Sequence, residues 1–276
     1  MKIKNKKNSL KISSTSRSKV FVAIALLSTL LSACINSSST QTLTELKVLS
    51  LLIPKQTSQF IETGTKDSQQ GLISSQEKLV EVLTNLKDQS TSQEMMGKLI
   101  ANGAGLEKNI ATLVGEQNQL NALYDFKLHV FETIPGIQAE YNLLTEMMAR
   151  NNSPSTQIII TKNQVFIAER ILRSMQGNEI GLIQVDDLVA DLETFNAYLN
   201  GQMNGSKELG VQRIGDPELR MGLESIKSDM DSIMNSEGLK SLKDTATYNK
   251  INQLARDNIE KSEDIYTTLV QLEAQK

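Results

Sequence analysis

Residues 216–233 read DPELRMGLESIKSDMDSI, and this stretch carries the pattern that decides the fold. Its large apolar residues recur at intervals of three and four, namely Leu219, Leu223, Ile226, Met230 and Ile233. This spacing places them on one stripe of an α-helix. Asp216 precedes Pro217, which is typical of an N-cap residue followed by proline in the first helical turn. The stretch therefore predicts an amphipathic helix that packs its stripe inside a bundle.

The same apolar spacing recurs along most of the chain. The clearest further stripes are Leu106, Ile110, Leu113; Ile137, Tyr141, Leu144, Met148; and Leu188, Leu192, Phe195, Leu199. Strand-like alternation is almost missing, and the chain has few aromatic residues and no Trp. We therefore predict an all-α fold, an elongated helical bundle. Within it, Pro54 and the Pro135-Gly136 pair should break or begin helices, and residues 201–210 should form a loop.

A weak internal repeat suggests two tandem helical modules. Leu79-Val80-Glu81-Val82-Leu83 resembles Leu188-Val189-Ala190-Asp191-Leu192, and Phe60-Ile61 lies upstream of the first segment as Phe166-Ile167 lies upstream of the second. Because low-complexity helical sequences match easily by chance, the repeat supports the division without proving it. We predict module 1 over residues 45–134 and module 2 over residues 135–276.

The N-terminus has the features of an export signal. The first nineteen residues contain seven Lys and Arg and no acid, and an apolar stretch runs from Val20 to Leu31. Leu31-Ser32-Ala33-Cys34 resembles the lipobox of bacterial lipoproteins, in which the cysteine is acylated and becomes the new N-terminus. We predict a signal peptide over 1–33, with lipidated Cys34 and a polar tether over 34–44. The alternative is an uncleaved anchor, but Val20 to Cys34 is shorter than the roughly 20 apolar residues that a spanning helix needs.

The net charge and the cysteine content bear on three points: nucleic-acid binding, disulfide formation and location in the cell envelope. Removing the seven basic residues of the signal from the chain's 29 leaves 22 against 32 acidic residues, a formal net charge of −10. An acidic protein lacks the clustered cations that bind nucleic acid. Cys34 is the single cysteine, so no intramolecular disulfide can form. Ile35 follows it in place of Asp, which by resemblance to sorted lipoproteins favours the periplasmic face of the outer membrane over the inner membrane.

The residues that carry enzyme chemistry do not cluster in this sequence. His129 is the single histidine, and without a cysteine or second histidine nearby it cannot build a zinc site. No Gly-x-Ser-x-Gly elbow or complete phosphate-loop fingerprint is present. The acids Asp186, Asp187 and Asp191 are explained by the dipole of a helix that begins near them. We predict no catalytic residues, no metal site and no cofactor.

Residues 163–174, NQVFIAERILRS, stand out as a candidate binding stretch. Helical spacing brings Phe166, Ile167, Arg170, Ile171 and Ser174 close together, so Arg170 lies near the apolar face, where an unpaired charge is costly. With Arg173 one turn further on, the two guanidiniums could clamp an anion. The alternative is that Arg170 extends to solvent or pairs with an acid of a neighbouring helix.

The segments Ile134 through Asn142, Gln164 through Ser174 and Leu188 through Leu199 resemble, in that order, the periplasmic sensor region of PilJ-type transducers. These are methyl-accepting proteins of the type IV pilus chemosensory system. The resemblance covers most of residues 45–275 and implies a helical sensor with tandem modules. Such a transducer continues into a second membrane span, a HAMP linker and a signalling hairpin, and no apolar span follows Leu272 here. The expectation is therefore a sensor module without its own transmitter.

The resemblance implies a non-enzymatic sensor or binding lipoprotein that recognises a partner protein or a small ligand. Its ligand residues would be Glu169, Arg170 and Arg173. The partners that it implies are the membrane, through the N-terminal lipid, and a pilin, a pilus chemosensory transducer or a small anionic ligand; homodimerisation stays open. The alternative is a structural envelope lipoprotein that uses the bundle as a spacer or an assembly surface.

Overall fold

A computed structural model describes residues 38–87, 93–176 and 185–274 of the 276-residue chain. The predicted signal peptide, Cys34 and the first tether residues lie outside these ranges. The fold below is that of the compact unit to which the described residues from 42 onward belong. The helices are α1 (Ser38–Thr63), α2 (Lys66–Lys87), α3 (Gln93–Gly115), α4 (Gln117–Arg150), α5 (Ser155–Met175), α6 (Val185–Asn204), α7 (Pro217–Met234), α8 (Glu237–Lys243) and α9 (Thr245–Ala274).

The prediction of an all-α helical bundle is confirmed. Over the described ranges no strand is present, and the only β feature there is an isolated antiparallel bridge between Ser206 and Val211. The apolar stripes read from the sequence are buried as expected: Leu219, Leu223, Ile226, Met230 and Ile233 all lie in the core. Helical periodicity therefore identified the inward faces correctly.

The first core cluster is built by α1, α2, α3 and α9. Fully buried members from these four helices are Leu46, Leu72, Leu106 and Ile265. Polar contacts also link α1 to its neighbours: Ser75 Oγ of α2 donates to Gln56 Oε1 at 2.5 Å, and Lys47 Nζ lies 2.7 Å from Glu273 Oε2 of α9. Helix α9 thus packs with α1, α2 and α3.

The second core cluster is built by α4 to α8. Its members include Val130, Ile171, Leu192, Leu223 and Leu239, one from each helix. The long helix α4 serves both clusters, because its Leu120 belongs to the first and its residues from Phe126 onward belong to the second. The module boundary placed at residues 134 and 135 remains a prediction.

The expectation that proline breaks these helices is wrong. Pro54 lies inside α1 and Pro135 inside α4. Proline removes one backbone hydrogen bond and crowds the preceding turn, but Ile134 and Ile137 beside Pro135 are buried in the second core. Burial of these apolar side chains offsets the local cost, so α4 continues through the proline.

Of two predictions about helix ends, the cap at Asp216 is confirmed and the loop over residues 201–210 is only partly confirmed. Asp216 caps α7 as predicted, and its Oδ1 accepts hydrogen bonds from the backbone N–H groups of Glu218 and Leu219 at 2.9 and 3.2 Å. The loop expected over 201–210 is shorter than predicted, because α6 continues to Asn204. The loop begins at Gly205, whose φ of +83° is a conformation that favours glycine.

A buried polar layer fixes how α4, α5 and α6 pack. Tyr141 of α4 donates to Gln202 Oε1 at 3.0 Å, and Gln164 of α5 donates through Nε2 to the Phe195 carbonyl oxygen at 2.9 Å. The Tyr141 and Phe195 rings pack edge to face at 5.5 Å. Burial raises the pKa of Tyr141, so the phenol stays neutral. Because buried polar groups need their partners, this layer defines the register of the three helices.

Candidate functional site

Helix α5 contains the three residues that were predicted from the sequence to bind a ligand, Glu169, Arg170 and Arg173. Its inward face contains Gln164, Ile167, Ala168, Ile171 and Met175. Its outward face carries Phe166, Glu169, Arg170 and Arg173, which we call the α5 surface. The expectation that Phe166 joins the apolar face with Ile167 is wrong, because the Phe166 side chain is 62% exposed. The buried stripe of α5 runs through residues 164, 167, 168 and 171, and Phe166 lies outside it.

Arg170 forms an ion pair with Asp191 of α6. Its Nε donates to Asp191 Oδ2 at 3.0 Å, and its Nη2 donates to Asp191 Oδ1, so the contact is bidentate. The Asp191 side chain is 12% exposed and the Arg170 side chain is 57% exposed. This is the arrangement foreseen by the alternative interpretation of Arg170, in which an acid of a neighbouring helix neutralises it.

The buried polar layer explains why the two side chains meet. Gln164 bonds the Phe195 backbone, which holds α5 and α6 antiparallel at that level. Arg170 lies about 9 Å along α5 from Gln164, and Asp191 lies about 6 Å along α6 from Phe195 in the same direction, so the long arginine side chain reaches the carboxylate. The register that places Gln164 thus also places the ion pair.

Asp191 occupies a position that is apolar in the first repeat. In the repeated segment it corresponds to Val82, which is 3% exposed in the first core. A carboxylate at such a position is costly unless it is paired, and Arg170 supplies the partner. The sequence pointed to Asp191 only as a helix-dipole acid, although its match with Val82 was a signal of burial.

Arg173 and Glu169 pair with each other rather than with a neighbouring helix. Arg173 Nη2 donates to Glu169 Oε1 at 2.8 Å, one turn away, and both side chains are more than half exposed. The hydrogen bond that Arg170 donates to Asp191 raises the pKa of Arg170, and the charges of Asp191 and Asp187 act in the same direction. Both guanidiniums therefore already have carboxylate partners, and an anion at this surface would compete with them.

His129 lies in a separate cleft between α4 and α7. Its Nε2 lies 2.9 Å from Ser232 Oγ, and its Nδ1 lies 3.3 Å from Thr133 Oγ1. A serine hydrolase needs an acid that orients the histidine from its second nitrogen, and here that nitrogen faces the hydroxyl of the next turn. The pair is accounted for as a contact between helices.

The described residues offer neither a metal-binding cluster nor a helix that could span a membrane. No group of three or more His, Cys, Asp or Glu side chains in those ranges could hold a metal ion. No helix there is long and apolar enough to cross a membrane.

Comparison with known proteins identifies relatives of the kind that the sequence resembles. No protein-family model matches the chain. Over 224 residues it is 26% identical to a putative methyl-accepting chemotaxis protein, AlkN, of Alcanivorax borkumensis, and the match covers 78% of this chain. Over 110 residues it is 28% identical to Protein PilJ of Pseudomonas aeruginosa, a match covering 38% of this chain. The chain contains a PilJ-like region.

The PilJ-like region represents a small part of each relative. The match covers 33% of AlkN and 16% of PilJ. The part that is shared with AlkN spans most of this chain, and the residues described here form a packed bundle with buried cores. Its likeness to a methyl-accepting chemotaxis protein supports a sensory type of domain.

Proposed function

We propose that this chain is a non-enzymatic binding module of the sensory type, held at a membrane by a lipid on Cys34 and facing the periplasm, with the outer membrane as the favoured site. One observation carries the proposal. The similarity to AlkN covers 78% of this chain but only 33% of AlkN, and in this chain the matched part forms a helical bundle. A bundle whose described residues bring no reactive groups together serves recognition better than catalysis.

The α5 surface favours a protein partner over a small anion. Phe166 is 62% exposed beside two arginines, and aromatic residues and arginine are the types enriched at interface hot spots. A free anion would have to displace Asp191 from Arg170 or Glu169 from Arg173. A protein surface can instead pack on the Phe166 ring and the arginine stems while both ion pairs stay intact. A pilin or a pilus chemosensory transducer is the partner that the PilJ-like region suggests.

The competing proposal is a structural envelope lipoprotein that uses the bundle as a spacer. A spacer needs the cores but not the exposed side chains of α5. Substitutions at the α5 surface therefore separate the two proposals, provided that the fold survives.

The test is crosslinking of the membrane-tethered protein in cells, followed by identification of the captured proteins. Phe166→Ala is the sharpest variant, because removal of an exposed ring leaves both cores intact; Arg170→Ala with Arg173→Ala is the second. Met221→Ala is the matched control for the first, since Met221 on α7 is 66% exposed. Arg150→Ala with Arg213→Ala removes the same charge elsewhere.

We expect capture of a pilin or a pilus transducer by the wild type and both controls, with severalfold loss in the α5 variants. Circular dichroism should show that all variants stay folded. Capture of envelope structural proteins alone, unchanged by the α5 substitutions, would support the spacer. Recovery of a crosslinked second copy of the chain that depends on Phe166 would identify a homodimer interface instead.

A further inference from the structure

A polar cleft lies between the first residues of α6 and the first half of α9. Its volume is about 590 Å³, within the range of about 300–1,000 Å³ typical of small-molecule sites. The polar side chains that line it include Asp186, Tyr248, Asn249, Asn252, Gln253 and Arg256. Those from α9 recur at intervals of three and four, so one face of α9 forms the wall opposite Asp186.

Asn252 lacks a hydrogen-bond partner among the described residues. Its residue is 7% exposed, and its side chain lines the cleft. Buried amides in folded proteins are almost always hydrogen-bonded. Asn258, six residues further along α9 and fully buried, donates through Nδ2 to Thr57 Oγ1 at 3.3 Å, and its Oδ1 has no partner among the described residues. The Asn252 amide therefore has donors and an acceptor available to a molecule in the cleft.

The cleft also contains one cation and one anion that form no ion pair within the described part of the chain. Arg170, Arg173 and Arg220 each pair with an acid, whereas no acid of those ranges lies within ion-pair distance of Arg256. Asp186 at the opposite wall likewise has no cation there. Unpaired groups of opposite charge on facing walls complement a ligand that bears both charges.

We propose that this cleft binds a small zwitterion of the amino-acid or dipeptide class. Arg256 binds the ligand carboxylate through its planar fork, Asp186 binds the ammonium group, and the Asn252 amide bonds to the polar groups between them. The proposal rests on the proposed sensory function and names the chemistry that the module would detect. It does not involve the α5 surface, so its failure and the failure of partner capture are separate results.

Isothermal titration calorimetry of the full chain in detergent tests the proposal. The probes are the L-amino acids and glycylglycine, each compared with a carboxylate that lacks the amine and with an amine that lacks the carboxylate. The variants are Asp186→Asn, Asn252→Leu and Arg256→Gln. Arg213→Gln is the control, because it removes an exposed arginine in the loop before α7. Thermal unfolding followed by circular dichroism verifies that each variant is folded.

We expect at least one zwitterionic probe to bind the wild type, the control and Phe166→Ala equally. Each cleft variant should weaken its binding by about tenfold or more. The acid without an amine should bind weakly and be sensitive to Arg256→Gln but not to Asp186→Asn. Absence of binding by every zwitterion overturns the proposal, as does binding that Arg256→Gln or Asp186→Asn leaves unchanged.

Discussion

At the scale of single residues, the two members of the ion pair Arg170–Asp191 differ in exposure: the arginine is exposed and the aspartate is nearly buried. Asp191 occupies a core position of α6, and Arg170 reaches it from the rim of α5. A charge left unpaired is costly where it is buried and cheap where water can reach it. The two members of the pair should therefore differ in what their removal does to the fold.

We predict that Arg170→Met destabilises the protein more than Asp191→Val does. Loss of the guanidinium leaves a nearly buried carboxylate without its partner, at a cost of about 1–3 kcal/mol. Asp191→Val instead leaves an exposed arginine that water solvates, and it restores the residue type of Val82 in the first repeat. Urea denaturation followed by circular dichroism measures both free energies of unfolding.

The pair Arg173–Glu169 is the matched control, because it also joins an arginine to a carboxylate but lies one turn apart on an exposed helix face. Arg173→Met and Glu169→Ala should each change the free energy of unfolding by only about 0.5 kcal/mol or less. Equal costs for Arg170→Met and Asp191→Val would contradict the unequal burial of the pair.

At the scale of elements, the short helix α8 packs very closely on α4. A Cβ added at Gly238 would lie 2.3 Å from the Ala122 carbonyl oxygen and 2.3 Å from Phe126 Cβ. Both atoms belong to the backbone or the root of a side chain, so neither can move without shifting a helix. Leu239 and Leu242 of α8 are buried in the second core through this contact.

Gly238→Ala should lower stability by about 1–3 kcal/mol, because the added methyl forces α8 away from α4. Gly136→Ala is the counterpart: that glycine lies inside α4 with nothing within 4 Å of the added Cβ. It should raise stability by about 1 kcal/mol through helix propensity. Thermal melts of both variants give the sign, and a neutral Gly238→Ala would mean that α8 is loosely attached.

Helix α9 begins with a cap, Asp244, whose contribution to stability depends on pH. Asp244 accepts a hydrogen bond from the Thr247 hydroxyl at 2.8 Å and one from the Thr247 backbone N–H at 3.3 Å. These bonds, the hydroxyl bond first, hold the pKa of Asp244 below its ordinary value of 3.8. Because the folded pKa is the lower one, the stability from this cap is fully present above pH 3.8 and is lost as pH falls through the folded value.

We therefore predict that the stability difference between the wild type and Asp244→Ala is constant from neutral pH down towards pH 3.8 and shrinks below it. Asp244→Asn is the control, since asparagine also caps helices but does not titrate. Its stability relative to Asp244→Ala should not depend on pH in this window. Thermal melts across a pH series measure both, and a difference that widens in acid would contradict the assignment of the cap.

At the scale of the whole molecule, helix α9 brings residues that are far apart in the sequence into one core. α9 packs with α1, α2 and α3 in the first core, and Lys47 pairs with Glu273 across 226 residues of sequence. The residues of the second core cluster lie in sequence between two parts of the first cluster. The first core is therefore complete only when α9 has packed against α1, α2 and α3. Stability of the bundle is thus a property of nearly the full length.

The proposed lipid anchor makes a prediction for the whole molecule in cells. Cys34→Ser should abolish incorporation of labelled fatty acid and leave unprocessed precursor, because the serine cannot form the thioether that precedes cleavage. The label is followed in membranes, with Ser32→Ala as the control. Normal processing of Cys34→Ser would indicate an ordinary signal peptide, and a membrane-bound precursor in the wild type would indicate an uncleaved anchor.

The sequence alone was sufficient for the features that depend on residues close together along the chain. The spacing of Leu219, Leu223 and Ile226 predicted which face of α7 is buried, and Asp216 before Pro217 predicted where that helix begins. Both rest on the fixed geometry of one helical turn. The order of the segments at residues 134–142, 164–174 and 188–199 likewise indicated the PilJ-like region.

Only the tertiary structure decided features that depend on contacts between distant residues. Pro135 remains inside a helix because of the core around it, and Phe166 faces outward because α5 packs on the core through the stripe that contains Ile167 and Ile171. Asp191 became the partner of Arg170 only when α5 and α6 packed in register. Asn252 and Asp186 likewise line one cleft only in the folded chain. Such contacts follow from the energy of the packed whole, which no local pattern of residues encodes by itself.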